Sequence, residues 1–215
     1  MKKFTIIAID GGAGSGKSTT ATNLSTKLNF LHVDTGSHYR SIASVLINES
    51  VGFNQIDENL NKFKLSSSVS GSKSLLLIND NLVPESILRS EEVNNSVSKY
   101  ASISSVRNLL FEYQRSQVEL AKMHNFNGLV MEGRDIGSII LPNADLKLFL
   151  HAPDSIRQNR RSGDGEKDQI LQRDQMDTSR KVAPLVQSVD SIMINTGELS
   201  IEEVFSQILS LINDL

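Results

Sequence analysis

The sequence contains no cysteine, which excludes disulfides, thiolate nucleophiles and zinc sites built on cysteine. That absence fits a reducing compartment, and a cytoplasmic protein is expected. A basic excess is also missing. The formal net charge is −3 and the isoelectric point about 5.8, so no general field attracts nucleic acid, and any polyanion must be held by a local set of donors. No nucleic-acid partner is expected. Long apolar runs are absent too. Met1-Lys2-Lys3 followed by Phe4–Ile9 superficially resembles a secretory signal, but the run stops at Asp10 and reads better as a buried strand. Nothing approaches the roughly 18 consecutive apolar residues of a membrane span, so no membrane partner is expected. What remains is an ordinary globular composition, 39% hydrophobic and 22% charged over 215 residues, enough for one core with a small inserted module.

Short apolar runs recur at Phe4–Ile9, Phe30–Val33, Leu129–Met131, Leu146–Leu150 and Ile192–Ile194. They are nearly continuous in apolar character, as strands covered on both faces should be. Between them lie stretches of helical spacing, such as Ala21, Leu24 and Leu28, or Val106, Leu109, Leu110 and Tyr113. A last helix is expected from Ile201 to Ile212. Strands alternating with helices predict an α/β fold with a parallel sheet and right-handed crossovers. Two segments break the rhythm. Ser66–Ser74 is rich in serine and glycine and is followed by Leu75–Ile78, the turn Asn79-Asp80-Asn81 and Leu82-Val83, which suggests a small inserted hairpin. Asp154–Lys181 is dense in charges of both signs, with Gly163 and Gly165 near its middle, a pattern that also suits a solvated helical hairpin.

Gly11-Gly12-Ala13-Gly14-Ser15-Gly16-Lys17-Ser18 fits the phosphate-loop pattern G-x-x-x-x-G-K-[ST] and sits between a strand and a helix, the context it requires. Glycines let successive backbone N–H groups curl around an anion, and the following helix turns its positive end toward it. Lys17 offers a mobile cation to the β- and γ-phosphates, and the Ser18 hydroxyl can help hold Mg²⁺. Gly11–Ser18 together with Thr19 are therefore the candidate residues for binding a nucleoside triphosphate such as ATP, Ser18 the candidate metal ligand. A loop of this kind says nucleotide, not reaction.

A parallel sheet gathers ligands at the carboxyl ends of its strands. Asp34-Thr35-Gly36-Ser37-His38-Tyr39-Arg40 follows the second strand, and Glu132-Gly133-Arg134-Asp135 follows the strand Leu129–Met131, so both open beside the phosphate loop. Thr35, Tyr39 and Arg40 offer a hydroxyl, a phenol and a guanidinium to a second anion. Arg157, Arg160 and Arg161 share one helical face, as do Arg173, Asp177 and Arg180. Arginines aimed inward would neutralise the charge of a transferring phosphoryl group. A solvated helix gives the same spacing without chemistry.

Taken together, these motifs resemble the bacterial cytidylate kinase family. The likeness runs in order through Ile7–Gly11, Ala13–Ser18, Asp34-Thr35-Gly36 with Tyr39-Arg40, Val97-Ser98-Lys99, Val106-Arg107, Met131–Gly137, Arg173-Asp174, Val182-Ala183-Pro184-Leu185 and Leu199–Val204. It covers essentially the whole chain, and the Glu-Gly-Arg-Asp-Ile-Gly and Val-Ala-Pro-Leu runs are far more diagnostic than the phosphate loop. The resemblance implies a P-loop kinase fold: a parallel five-stranded sheet flanked by helices, with a core of 1–59, 96–153 and 182–215, a β-rich insert on the monophosphate side at about 60–95, and a short helical lid at about 154–181. It implies ATP and CMP or dCMP as substrates, Mg²⁺ bound with ATP, and a monomer. Lys17, Arg134, Arg173 and Arg180 are the implied catalytic residues. Thr35, Arg40 and Arg134 would hold the CMP phosphate with Tyr39 lining that site; Ser98, Arg107 and Asp135 would read the cytosine edge; Arg173 and Asp177 would face the sugar, with Arg180 reaching the phosphates from the lid side. The chain departs from the family at Gly12, where proline is common, and at His38, where an apolar residue is usual and which reads as a packing change. The lid is also shorter, with Ser162-Gly163-Asp164-Gly165 in place of a longer linker. A kinase for UMP or dTMP, or a nucleotide-binding regulator that transfers nothing, stays open at this point.

Overall fold

A computed structural model describes residues 4–163 and 170–215; Asp164 and Gly165 of the shortened segment lie outside the described residues. The chain begins with strand β1 (Thr5–Gly11), which runs through Asp10 into the first glycine of the phosphate loop. Helix α1 (Lys17–Leu28), strand β2 (Phe30–Asp34) and helix α2 (Thr35–Asn48) follow. A 3₁₀ turn at Phe53–Gln55 leads into α3 (Ile56–Leu60) and then the strands β3 (Leu65–Ser70), β4 (Lys73–Ile78) and β5 (Asn81–Leu82). Helices α4 (Glu85–Leu88), α5 (Glu91–Ala101) and α6 (Ser104–Met123) lead to β6 (Gly128–Gly133), a π-helical turn (Ile136–Ile140) and β7 (Leu146–His151). Helices α7 (Asp154–Gly163) and α8 (Ile170–Thr178), strand β8 (Ile192–Asn195) and helix α9 (Ile201–Asn213) complete the fold.

The strands lie in the order β3-β4-β2-β6-β1-β7-β8, with β5 on β4. The five strands β2, β6, β1, β7 and β8 pair in parallel, as the alternation of strands and helices predicts. The sheet does not stop there. β4 joins the edge of β2 through His32 and Lys73, and β3 and β5 flank β4 antiparallel, so eight strands form one sheet. The serine-rich run is itself a strand, which corrects the expected two-stranded hairpin to a three-stranded meander. Ser67 and Ser74 turn toward α6, where Ser67 Oγ meets the Tyr113 hydroxyl at 2.9 Å and Ser74 donates to Gln117 at 2.6 Å. At the tight turn between β4 and β5, Asn79 and Asp80 both take positive φ (52° and 63°), a conformation that their short polar side chains tolerate.

Three apolar clusters hold the layers together. One joins β1, β7 and β8 to α1 and α9, a second fills the space between β1, β2, β6 and α6, and a third packs α2, α3, α5 and α6 against the meander. His38 lies in that third region, fully buried against Tyr113 with ring centroids 5.2 Å apart. Neither of its ring nitrogens has a hydrogen-bond partner in the protein, and burial pushes its pKa down to about 4, so the ring is neutral. Among the described residues, no helix is long and apolar enough to cross a membrane.

Candidate functional site

β1, β2 and β6 are adjacent and parallel, so their carboxyl ends deliver the phosphate loop, Asp34-Thr35 and Glu132–Asp135 to one edge. The loop swings from β1 into α1 through Gly16, whose φ of 89° favours glycine. Lys17 bends back over the loop and donates to the Gly12 carbonyl at 2.7 Å. Burial lowers the Lys17 pKa to about 7, with the nearby Arg134 charge acting in the same direction; an anion in the loop would reverse that. Ser18 donates to Glu132 Oε2 at 2.8 Å, and the other oxygen of Glu132 meets His32 Nε2 at 2.9 Å. Thr35 donates to the Glu132 carbonyl at 2.7 Å, which ties α2 to the end of β6.

Three neighbouring cavities open along this edge. The first, about 320 Å³, is lined by Gly14–Thr20, Arg160, Arg161, Thr196, Leu199, Ile201 and Val204. The second, about 60 Å³, is lined among others by Thr35, Tyr39, Arg40, Ser98, Arg134, Asp135, Arg173, Asp177 and Arg180. A third, about 90 Å³, lies between them and includes Lys17, Ser18, Arg40, Glu132, Arg134, Arg161 and Arg173. Of the residues expected on the acceptor side, Arg107 stands behind the second cavity, paired with Asp135 and donating to the Ala101 carbonyl at 3.2 Å. On the donor side, Gly14–Thr19 line the first cavity, Ala13 borders the junction, and Gly11 and Gly12 lie outside both.

The second cavity is filled by its own ion pairs. Asp177 accepts from Ser98 at 3.1 Å and Arg134 at 2.9 Å, and pairs with Arg180 at 2.6 Å. Burial alone would raise the Asp177 pKa, but Arg134, Arg180 and Arg173 outweigh it and hold the carboxyl below its usual range. Asp135 moves the other way: burial pushes it up against the pull of Arg107. Burial likewise takes the Tyr39 phenol up to about 12, so it stays protonated, 5.5 Å beneath the Arg107 guanidinium. Arg40 donates to the Leu88 carbonyl at 2.9 Å and to Asn94 at 2.5 Å, which fixes its head at the mouth.

The charged hairpin differs from its expected arrangement in two respects. Arg180 lies two residues past the end of α8, and there it pairs with Asp177, three residues back in the chain. Arg157 lines none of the three cavities. It pairs with Asp154 at 2.5 Å and with Asp174, and donates to the Ala13 carbonyl at 2.9 Å. Arg160 reaches Gly14 and Thr196, and Arg161 lines both the first cavity and the junction.

Several working groups are not evident from spacing. Asp10 accepts the N–H groups of Ile136 and Gly137, each at 2.8 Å, and so caps the turn that presents Arg134 and Asp135. Its burial lifts its pKa to about 6. Thr196 donates to the Ser15 carbonyl at 2.9 Å, and Asn94 anchors Arg40. Glu132 and Asp10 fall inside quoted motifs, but nothing in a linear pattern says which atoms they face. Ser18, Glu132 and Asp34 line the junction with oxygen atoms, a donor set that suits a hard divalent cation. Among the described residues there is no group of three or more His, Cys, Asp or Glu that could hold a metal ion.

A family model described as cytidylate kinase matches residues 7–214. A cytidylate kinase of Geobacillus sp. (strain WCH70) is 39% identical over 230 residues, covering 100% of this chain and 99% of that protein. The bifunctional pantoate ligase/cytidylate kinase of Prochlorococcus marinus (strain AS9601) is 40% identical over 230 residues; it is longer, and the chain spans 44% of its length. Among solved structures, deoxyadenosine kinase from M. mycoides aligns over 98% of this chain and 100% of that one at 14% identity with a TM-score of 0.50, a likeness of fold alone.

Proposed function

The chain belongs to the cytidylate kinase family, and we propose that it transfers the γ-phosphoryl group of ATP to the phosphate of CMP or dCMP, giving ADP and CDP or dCDP. The observation that carries this reading is the row of three cavities, in which the arginine-lined junction separates a loop-built pocket from a carboxylate-and-arginine pocket. ATP occupies the first, with its triphosphate on the loop and its base toward Thr196, Leu199 and Ile201. CMP occupies the second, with its phosphate at Thr35, Arg40 and Arg134 and its cytosine at Ser98, Arg107 and Asp135. Cytosine presents an amino donor beside a ring-nitrogen acceptor, which a carboxylate and a neighbouring donor match. Uracil would set a carbonyl oxygen against Asp135, and an unpaired buried group costs on the order of 1–3 kcal/mol.

An oxygen of the CMP phosphate attacks the γ-phosphorus in line, and ADP leaves with the electron pair of the broken bond. The acceptor is already an anion near neutral pH, so no side chain need act as general base. Lys17 and the arginines Arg134, Arg173 and Arg180 neutralise the transferring charge. Ser18, with Glu132 and Asp34 nearby, would hold Mg²⁺, which when bound supplies charge neutralisation across the phosphates. The meander at about 60–95 serves as the monophosphate-side insert and the hairpin at about 154–181 as a lid that excludes water. We read the protein as cytoplasmic, in keeping with the lack of cysteine, and as a monomer acting on small nucleotides. A coupled assay for ADP release with ATP and CMP tests the function: turnover that depends on CMP supports it, and ATP binding without CMP binding at millimolar concentration refutes it.

A further inference from the structure

α8 reaches the phosphate loop through one side chain. Asp174 Oδ1 accepts the Ala13 N–H at 3.0 Å, and its other oxygen pairs with Arg157, whose Nη1 also donates to the Ala13 carbonyl at 2.9 Å. Both polar backbone groups of Ala13 are therefore held by the α7/α8 hairpin. The carboxylate lies directly beside Gly12. Gly12 is not among the glycines with positive φ, so its backbone suits any L residue. A Cβ there, however, would lie 2.7 Å from Asp174 Oδ2 and 2.8 Å from Arg157 Nη1. Both atoms are the ends of flexible side chains, so the space beside Gly12 is taken up by the hairpin in this arrangement. Beside Gly14 the α7 backbone takes up the space, since a Cβ there would stand 2.8 Å from the Arg157 carbonyl oxygen.

Asp174 is flanked on α8 by Arg173 and, within one turn, by Asp177, and both of these line the second cavity. One rigid helix thus touches the loop with one side chain and the acceptor pocket with the next. We infer that Asp174 is a positioning residue for phosphoryl transfer: seated beside Gly12, it docks the hairpin on the phosphate loop and sets how far Arg173 and Asp177 stand from the donor phosphates. This role rests on the kinase reading above, but its contact can be measured without turnover.

The test compares wild type, G12A, D174A, D174N and the double variant G12A/D174A. CMP-dependent transfer, CMP-independent ATP hydrolysis and amide exchange at Ala13 are read separately. D174A is expected to lower kcat by about tenfold to a hundredfold with the KM for ATP nearly unchanged, and to raise the ratio of hydrolysis to transfer. G12A, whose methyl would meet only the movable ends of Asp174 and Arg157, should give a smaller change in the same direction, and the double variant should be no worse than D174A. D174N keeps an acceptor for Ala13 but offers an amide to Arg157, so its loss should be intermediate. Multiplicative losses in the double variant, a wild-type ratio of hydrolysis to transfer in D174A, or unchanged Ala13 exchange in D174A would each overturn the assignment. A wild-type enzyme that ignores CMP would sink the kinase reading instead, and the Ala13 exchange would still decide whether the docking contact exists.

Discussion

The proposed donor end is one unbroken stretch, Gly11–Ser18, whereas the proposed acceptor end assembles side chains from α2, α5, the end of β6 and α8, with Arg107 of α6 behind them. On the proposed reading the donor loop works through backbone N–H groups and Lys17, and its cavity is about 320 Å³. The acceptor end works through guanidinium and carboxylate groups that satisfy one another, and its cavity is about 60 Å³. That is well below the roughly 300 Å³ at which ligand pockets usually begin. On the proposed reading ATP fills a cavity, while CMP exchanges existing ion pairs for its own contacts. Asp177, which engages Ser98, Arg134 and Arg180 together, is the centre of that exchange.

The comparison can be broken most severely at Lys17. Lys17→Ala should lower kcat/KM by at least about a thousandfold while leaving circular dichroism and thermal unfolding unchanged, because the loss falls on the charge of the transition state. Next in size is Asp177→Ala, which strands buried arginines. It should cost about a hundredfold in kcat/KM for CMP with the KM for ATP within about threefold. Equal changes in both KM values would show that the two ends are not separable in this way. Asp135→Asn should act on selectivity, lowering the ratio of CMP to UMP turnover by about tenfold in a side-by-side assay.

His38 gives the smallest effect on turnover and a clear one on stability. His38→Met should remove the cost of two unpaired buried nitrogens and raise stability by about 1–2 kcal/mol at pH 7. Its pH dependence has a definite sign. The folded ring takes a proton only near pH 4, while the unfolded chain takes one near 6.5, so wild type loses stability as pH falls between those values. Asp10 has the opposite slope, because its folded pKa of about 6 exceeds the unfolded value of 3.8, and stability is gained as pH falls through that window. The two nearly cancel in wild type. The advantage of His38→Met should therefore grow by about 2 kcal/mol from pH 7 to pH 5, measured by denaturant unfolding at both values.

Much of the fold was legible because β1, β6 and β7 are buried on both faces and announce themselves as apolar runs. The strand Leu65–Ser70 was not, since it is rich in serine and Ser67 finds its partners in Tyr113 and Gln117 on α6, a pairing that a linear pattern cannot display. The phosphate loop was legible because its groups are contiguous. Thr35, Arg40, Arg134 and Asp135 could be placed together by the rule that parallel strands collect ligands at their carboxyl ends. Asp10, Glu132, Asp174 and Thr196 were harder for one reason: each acts on a backbone group or side chain far away in sequence, and only the folded chain shows which.

The most direct test of a two-ended site is ADP release from ATP measured across CMP, dCMP, UMP and dTMP under identical conditions. Rapid turnover with CMP or dCMP, and at least about tenfold lower kcat/KM with UMP and dTMP, is the predicted result. Equal rates across the panel, or ATP turnover indifferent to every monophosphate, would contradict it.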